Sequence, residues 1–173
     1  IAEMQFADFI MPAVNQIISE AARIRYRSNN DWNCPIVIRA PYGGGVHGAL
    51  YHSQSVEAVF ANQPGLKIVM PSTPYDVKGL LKAAIRDNDP VLFFEHKALY
   101  RSSESPVHDG YYTTEIGKAA LIQQGSDVSI VTYGMGVHWA MDFLKNNPLV
   151  LKSKPLTTLA WLQILEMIIN KLI

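Results

Sequence analysis

The sequence predicts an α/β fold: a parallel sheet covered by helices on both faces, three layers deep, followed by the start of a second α/β domain. Three observations predict it. Short aliphatic or β-branched runs at residues 36–38, 66–70 and 91–94 alternate with segments whose apolar residues recur at helical spacing. A strand, helix, strand, helix order implies right-handed crossovers and therefore parallel strands. The run Val91-Leu-Phe-Phe94 is apolar throughout, which suits a strand buried from both sides.

The elements follow in order. Residues 1–6 alternate like a strand already under way, and a chain that opens at Ile1 reads as a piece of a longer protein or a trimmed one. Across residues 12–27 the apolar positions Ala13, Val14, Ile17, Ile18, Ala21, Ala22 and Ile24 mark one buried helical face, ended by the turn cluster at 28–31. A strand at 36–38 leads into a loop that begins at Arg39, carries Gly43, Gly44, Gly45, His47 and His52, and gives way to a helix of about two turns from Val56. In open α/β sheets such strand-to-helix loops bind ligands, and the glycines free the backbone to turn sharply. After a strand at 66–70, Thr73-Pro-Tyr-Asp76 carries a helix-start signature: Thr73 caps, Pro74 takes the first position and Asp76 reaches back. Asp87-Asn-Asp-Pro90 ends that helix before the strand at 91–94.

The first domain is expected to span residues 1–105, with a linker at 106–126. A second domain starts at 127–147, where a strand at 127–133, a turn at Gly134 and Gly136 and a helix at 137–145 form one unit. Residues 148–173 depart from the pattern, with apolar residues crowding nearly every face of a helix expected at 159–172.

Composition narrows the function. With 49% hydrophobic and 17% charged residues the chain can bury a core. Fifteen basic residues balance fifteen acidic ones without an extended basic cluster, which argues against a nucleic-acid partner. One cysteine, Cys34, excludes an intramolecular disulfide or a cysteine-based metal cluster and fits a reducing compartment. The most apolar tract is interrupted by Gln163, Glu166, Asn170 and Lys171, so no membrane span is expected. His96, His108 and His138 lack metal-ligand spacing.

Five stretches together, Gln5-Phe-Ala-Asp-Phe9, His47-Gly-Ala-Leu-Tyr-His-Ser-Gln-Ser55, Pro64-Gly-Leu-Lys-Ile-Val69, Lys78-Gly-Leu-Leu-Lys-Ala-Ala-Ile-Arg-Asp87 and Phe93-Phe-Glu-His-Lys-Ala-Leu-Tyr-Arg101, carry a family resemblance over about residues 1–145. The chain resembles the beta subunit of the thiamine diphosphate-dependent decarboxylase component of 2-oxo acid dehydrogenase complexes, closer to the branched-chain than to the pyruvate type. The resemblance implies a transketolase-type pyrimidine-binding domain, an alpha subunit as partner in an α2β2 heterotetramer, and a lipoyl-bearing acyltransferase core. It implies thiamine diphosphate shared between subunits, with magnesium and the diphosphate held by the alpha subunit. The implied compartment is the cytoplasm of a bacterium or the mitochondrial matrix of a eukaryote.

Residue by residue, the resemblance places Phe9 against the aminopyrimidine ring and Gln5 in the same wall. His52 falls at the active-site funnel as the catalytic candidate, where an imidazole can hand over a proton during reductive acylation. Its plain alternative is a loop histidine bonded to a neighbouring carbonyl, and His47 takes a structural reading. A potassium ion is implied near Ile36 and Val37 and at Ala84, Asp87 and Asp89, although Asp87-Asn-Asp-Pro90 equally reads as a helix-ending turn.

Two departures stand against full activity. The family's glutamate that hydrogen-bonds the aminopyrimidine lies upstream of the segment matching Ile1, and residues 148–173 match nothing in the family, as a frame shift or truncated gene model near Asn147 would produce. The expected function is oxidative decarboxylation of branched-chain 2-oxo acids with acylation of a lipoyl group. The alternatives are the pyruvate enzyme and a non-catalytic interaction module with this fold.

Overall fold

The computed structural model describes residues 1–148 and 156–160. Four parallel strands, β1 (Ala2–Glu3), β2 (Val37–Tyr42), β3 (Lys67–Val69) and β4 (Val91–His96), form one sheet in the order β1-β2-β4-β3. Alternation along β4 divides its side chains between two cores. Leu92 and Phe94 join Ile10, Ile17, Ile38, Phe60 and Ile68 on one face, while Val91 and Phe93 join Val37, Val69, Leu80 and Ala84 on the other. The helix α3 (Pro74–Ile85) covers the second face, so the three expected layers are present.

The N-terminal helix differs from expectation. Residues 12–27 are not one α-helix but the end of a 3-10 helix (Ala7–Ala13), a π-helix (Gln16–Ala21) and a single turn, α1 (Ile24–Arg27). Pro12 lies inside the 3-10 helix and has no N–H to donate, and the amide of Ala22 donates five residues back to Ile17 at 2.9 Å. That wide turn carries Ile17 and Ala22 together into the core. The carbonyl of Ala22 lies against Gly65, where a Cβ would come within 1.9 Å of the oxygen and the backbone φ is +90°.

Strand β2 runs on to Tyr42, so Arg39 to Tyr42, expected as loop, belong to the sheet. The helix after the loop, α2 (Glu57–Phe60), is one turn rather than about two. The capping expected for α3 is present: Thr73 Oγ1 accepts from the Asp76 amide at 3.2 Å and donates to the Asp76 carboxylate at 2.7 Å. A short helix α4 (Leu99–Ser102) follows β4 and was not expected.

A second sheet contains β5 (Ala120–Gln123), β6 (Val128–Thr132) and β7 (Leu156–Ala160), in the order β5-β7-β6. β5 lies inside the stretch expected to be linker. β6, the helix α5 (Met135–Asn146) and β7 form a strand-helix-strand unit, with β7 parallel to β6 and antiparallel to β5. The α/β pattern therefore continues past Asn147, and Leu159 and Ala160, expected to open a helix, pair as strand residues. Residues 161–172 of that expected helix lie outside the described residues. Among the described residues no helix is long and apolar enough to cross a membrane.

Candidate functional site

The C-terminal ends of β1 and β2 lead to Gln5, Phe9 and His52, where ligands bind in sheets of this kind, whereas Ile36, Val37, Ala84, Asp87 and Asp89 lie at the opposite edge, where β2 and β4 begin. From β1 the chain passes through Gln5, Phe6, Asp8 and Phe9, and from β2 it enters the glycine loop. The loop closes on itself: the Gly43 amide donates to the Gln54 carbonyl at 3.1 Å, making a neck between its two ends. Gly43 has φ +87°, and a Cβ there would lie 2.4 Å from Nε2 of His96, so only glycine seats the neck against that ring. Burial, helped by the charges of Lys97 and His138, holds His96 below the ordinary imidazole range.

His52 and Phe9 come together. The His52 ring meets Phe9 edge-on with centroids 5.9 Å apart and Phe6 edge-on at 4.7 Å; Phe6 and Phe9 meet at 6.2 Å. Nδ1 of His52 lies 2.8 Å from the Gly48 carbonyl. A carbonyl only accepts, so Nδ1 carries a proton, and Nε2 is the nitrogen left to exchange one. The plain loop-histidine bond is therefore made, and it fixes which nitrogen remains for chemistry. Phe9 is 41% exposed. Gln5 is also exposed, whereas His47 stands exposed in the loop at φ +56°.

Three residues of this corner carried no functional reading in the sequence: Phe6, Asp8 and Lys97. Asp8 is only 9% exposed and accepts from the amides of Ser53 and Gln54 at 3.2 and 3.3 Å. The Lys97 ammonium sits 5.2 Å from the centre of the Phe6 ring, buried and without a hydrogen-bond partner. Burial lowers its pKa, and the charge of Asp8 opposes that shift. The available signal was Asp8 itself, one charge within the run Phe6-Ala-Asp-Phe-Ile10.

On the α3 side of the sheet a cavity of about 330 Å³ is lined by Arg39, Ser72, Val77, Glu95 and Tyr100 among others. Arg39 holds the buried Glu95 carboxylate in a two-point contact at 2.8 and 3.0 Å, and Tyr100 donates to the same group. None of the predicted site residues lines this cavity.

The residues expected around potassium are arranged differently from a bare acidic loop. Lys67 Nζ contacts both Asp87 oxygens at 2.8 Å and Asp89 at 3.2 Å, and Arg25 adds bonds to Asp89 at 2.9 and 3.1 Å. The carboxylates are neutralised by the chain's own cations. The carbonyls of Ile36 and Ala84 accept from Val91 and Asp87, at 2.9 and 3.2 Å. Among the described residues no group of three or more His, Cys, Asp or Glu side chains is placed to hold a metal ion.

The fold is an α/β domain whose parallel sheet carries an exposed aromatic ring and a tautomer-fixed histidine beyond its C-terminal edge. The model of the transketolase pyrimidine-binding domain matches residues 1–103, and the chain belongs to that family. It is 75% identical over 141 residues to the 2-oxoisovalerate dehydrogenase subunit beta of Bacillus subtilis (strain 168), covering 82% of this chain and 43% of that protein. The pyruvate dehydrogenase E1 component subunit beta of the same organism is 51% identical over 138 residues, covering 80% and 42%. A mitochondrial 2-oxoisovalerate dehydrogenase subunit beta from Dictyostelium discoideum is 52% identical over 135 residues, covering 78% and 36%. The chain thus spans less than half the length of these relatives. Among solved structures, an inactive beta4 tetramer of a split-gene transketolase aligns with TM-score 0.66 at 21% identity, covering 94% of this chain and 48% of that one. A transketolase variant from Pichia stipitis aligns with TM-score 0.69 at 18% identity, covering 98% and 23%. These two likenesses speak for the fold.

Proposed function

We propose that the chain is the pyrimidine-binding part of the beta subunit of a branched-chain 2-oxo acid dehydrogenase, which oxidatively decarboxylates its substrate and acylates a lipoyl group. The observation that carries the substrate class is the gap between 75% identity to a 2-oxoisovalerate dehydrogenase subunit and 51% to a pyruvate dehydrogenase subunit from one organism. The cofactor is thiamine diphosphate, which when bound supplies the electron sink for decarboxylation. The residues present fit one half of its site. Phe9 offers a ring face for the aminopyrimidine, Gln5 an exposed amide beside it, and His52 a nitrogen, Nε2, that takes or gives a proton. The diphosphate and its magnesium belong to an alpha subunit of an α2β2 assembly, and the acyl group passes to a lipoyl-bearing core. Potassium, where it binds, uses oxygens near Ile36 and Val37 and at Ala84, Asp87 and Asp89, and has to share the two carboxylates with Lys67 and Arg25. The compartment is the cytoplasm of a bacterium or the mitochondrial matrix. Domain limits follow the same reading, with the pyrimidine-binding unit at 1–105 and the second domain opening at β5 (Ala120–Gln123), within the stretch 106–126 expected as linker.

The test is co-expression of the full-length beta subunit containing this sequence with its alpha subunit, followed by decarboxylation assays with thiamine diphosphate and magnesium. Turnover of 2-oxoisovalerate well above that of pyruvate is expected. A preference for pyruvate would transfer the chain to the pyruvate class, and no turnover of either acid would favour a non-catalytic module.

A further inference from the structure

We propose that Asp8 is a positioning residue that clasps the His52 loop at its neck and thereby sets where Nε2 of His52 points. The inference rests on the reading of His52 given above, but its structural half stands without it. Residues 44–55 form a largely exposed loop whose hydrogen bonds are nearly all internal: His52 to Gly48, and the Gln54 side chain to the Leu50 carbonyl at 3.0 Å. Among the described residues, the one side chain outside the loop that hydrogen-bonds to it is Asp8. It does so at Ser53 and Gln54, the two residues after His52, one of which also receives the Gly43 amide at its carbonyl. The loop is held at that point both from the 3-10 helix that follows β1 and from the end of β2. Its other contact of note is the His52 ring against Phe6 and Phe9, two residues before and one residue after Asp8, on the cap of the same 3-10 stretch and within it.

The carboxylate suits this task better than a neutral acceptor. Hydrogen bonds to an ionised acceptor are roughly twice as strong as neutral ones. The buried second oxygen of Asp8 has no hydrogen-bond partner, and neither has the buried Lys97 ammonium, whose charge acts on Asp8 from the end of β4. Lys97 offsets the charge without taking the oxygen that holds the loop.

The structural test uses the 173-residue chain and nuclear magnetic resonance of its amides and imidazoles. In the unmutated chain the Ser53 and Gln54 amides are expected to exchange about tenfold or more slowly than those of Val46 and His47, which have no such acceptor. In Asp8→Asn, which keeps an acceptor oxygen, His52 should retain its Nδ1–H form and its ring-current shifts from Phe6. In Asp8→Ala both should be lost. Unprotected Ser53 and Gln54 amides in the unmutated chain overturn the proposal even if Asp8→Ala does not fold, and an unmoved His52 in a folded Asp8→Ala does the same.

The catalytic test is a double-mutant cycle in the holoenzyme. Asp8→Ala should lower kcat/KM by about tenfold alone and by less than about twofold when added to His52→Ala, because it acts through that ring. Additive losses overturn the proposal. If His52→Ala leaves activity intact, the reading of His52 fails while the exchange and imidazole signals still decide the role of Asp8.

Discussion

Phe9 shows how a single residue can be placed by family pattern yet understood only through its surroundings. Apolar and preceded by Ala7 and Asp8, it would pass for core on composition, but it is 41% exposed while Ile10 beside it is fully buried. An aromatic left open in this way is free to stack on a ligand. Stacking is worth about 0.5–1.5 kcal/mol beyond area burial, so Phe9→Ala should weaken thiamine diphosphate binding in the assembled enzyme by up to about tenfold, measured by titration calorimetry, while leaving the chain's melting temperature nearly unchanged. His52 was legible by the same pattern. Asp8 and Lys97 were not, because a sequence shows a charge but not the amides or the opposite charge it will face.

At the scale of elements, the acidic turn after α3 is the clearest case of two readings of the same residues. The sequence shows Asp87 and Asp89 as a cluster that invites a cation, and Lys67, twenty positions away, supplies one by register, since β3 lies beside β4 at the sheet edge. Burial alone would raise the pKa of Asp89, but hydrogen bonds from Arg25 and Lys67 and their charges outweigh it and hold the carboxyl below its usual range. A carboxylate whose folded-state pKa is depressed lends stability that is complete above the unfolded value near 3.9 and is lost as pH falls through the folded value. Asp89→Asn should therefore lower stability at neutral pH and flatten the acid limb below about pH 4, read from urea midpoints against pH. The broken N-terminal helix was less legible, because apolar spacing marks the buried face but not the pitch. The close pass of Ala22 over Gly65 fixes that pitch. Gly65→Ala would place a methyl group into a carbonyl at a φ that side chains avoid, and should cost about 2 kcal/mol or more in a denaturant titration.

Across the whole molecule, three layers and parallel strands followed from alternation, since β-branched runs and helical spacing survive a change of context, while the order β1-β2-β4-β3 of the strands in the sheet did not. The second sheet was only half visible. β6 and α5 announced themselves, while β5 lay in a stretch whose turn-forming neighbours hid a four-residue strand. The two sheets are joined by side chains as well as by chain. Tyr133, just past β6, donates to Glu57 at the start of α2 at 3.2 Å, and His138 on α5 donates from Nε2 to the Ser72 carbonyl at 2.7 Å. The other Glu57 oxygen is buried and without a hydrogen-bond partner, so Tyr133→Phe would strip that carboxylate further. A loss of about 1–3 kcal/mol is expected, with faster amide exchange at α2 than at β4 if the contact couples the sheets.

The neck between Gly43 and Gln54 also bears on how such a protein changes. Because both ends of the loop are pinned together, what lies between them is a cassette whose length the sheet does not feel. Doubling a flexible loop adds only about 0.6 kcal/mol of closure entropy. New residues can thus be tried around His52 while the 3-10 helix that carries Phe9 stays where it is, without the fold having to be found again.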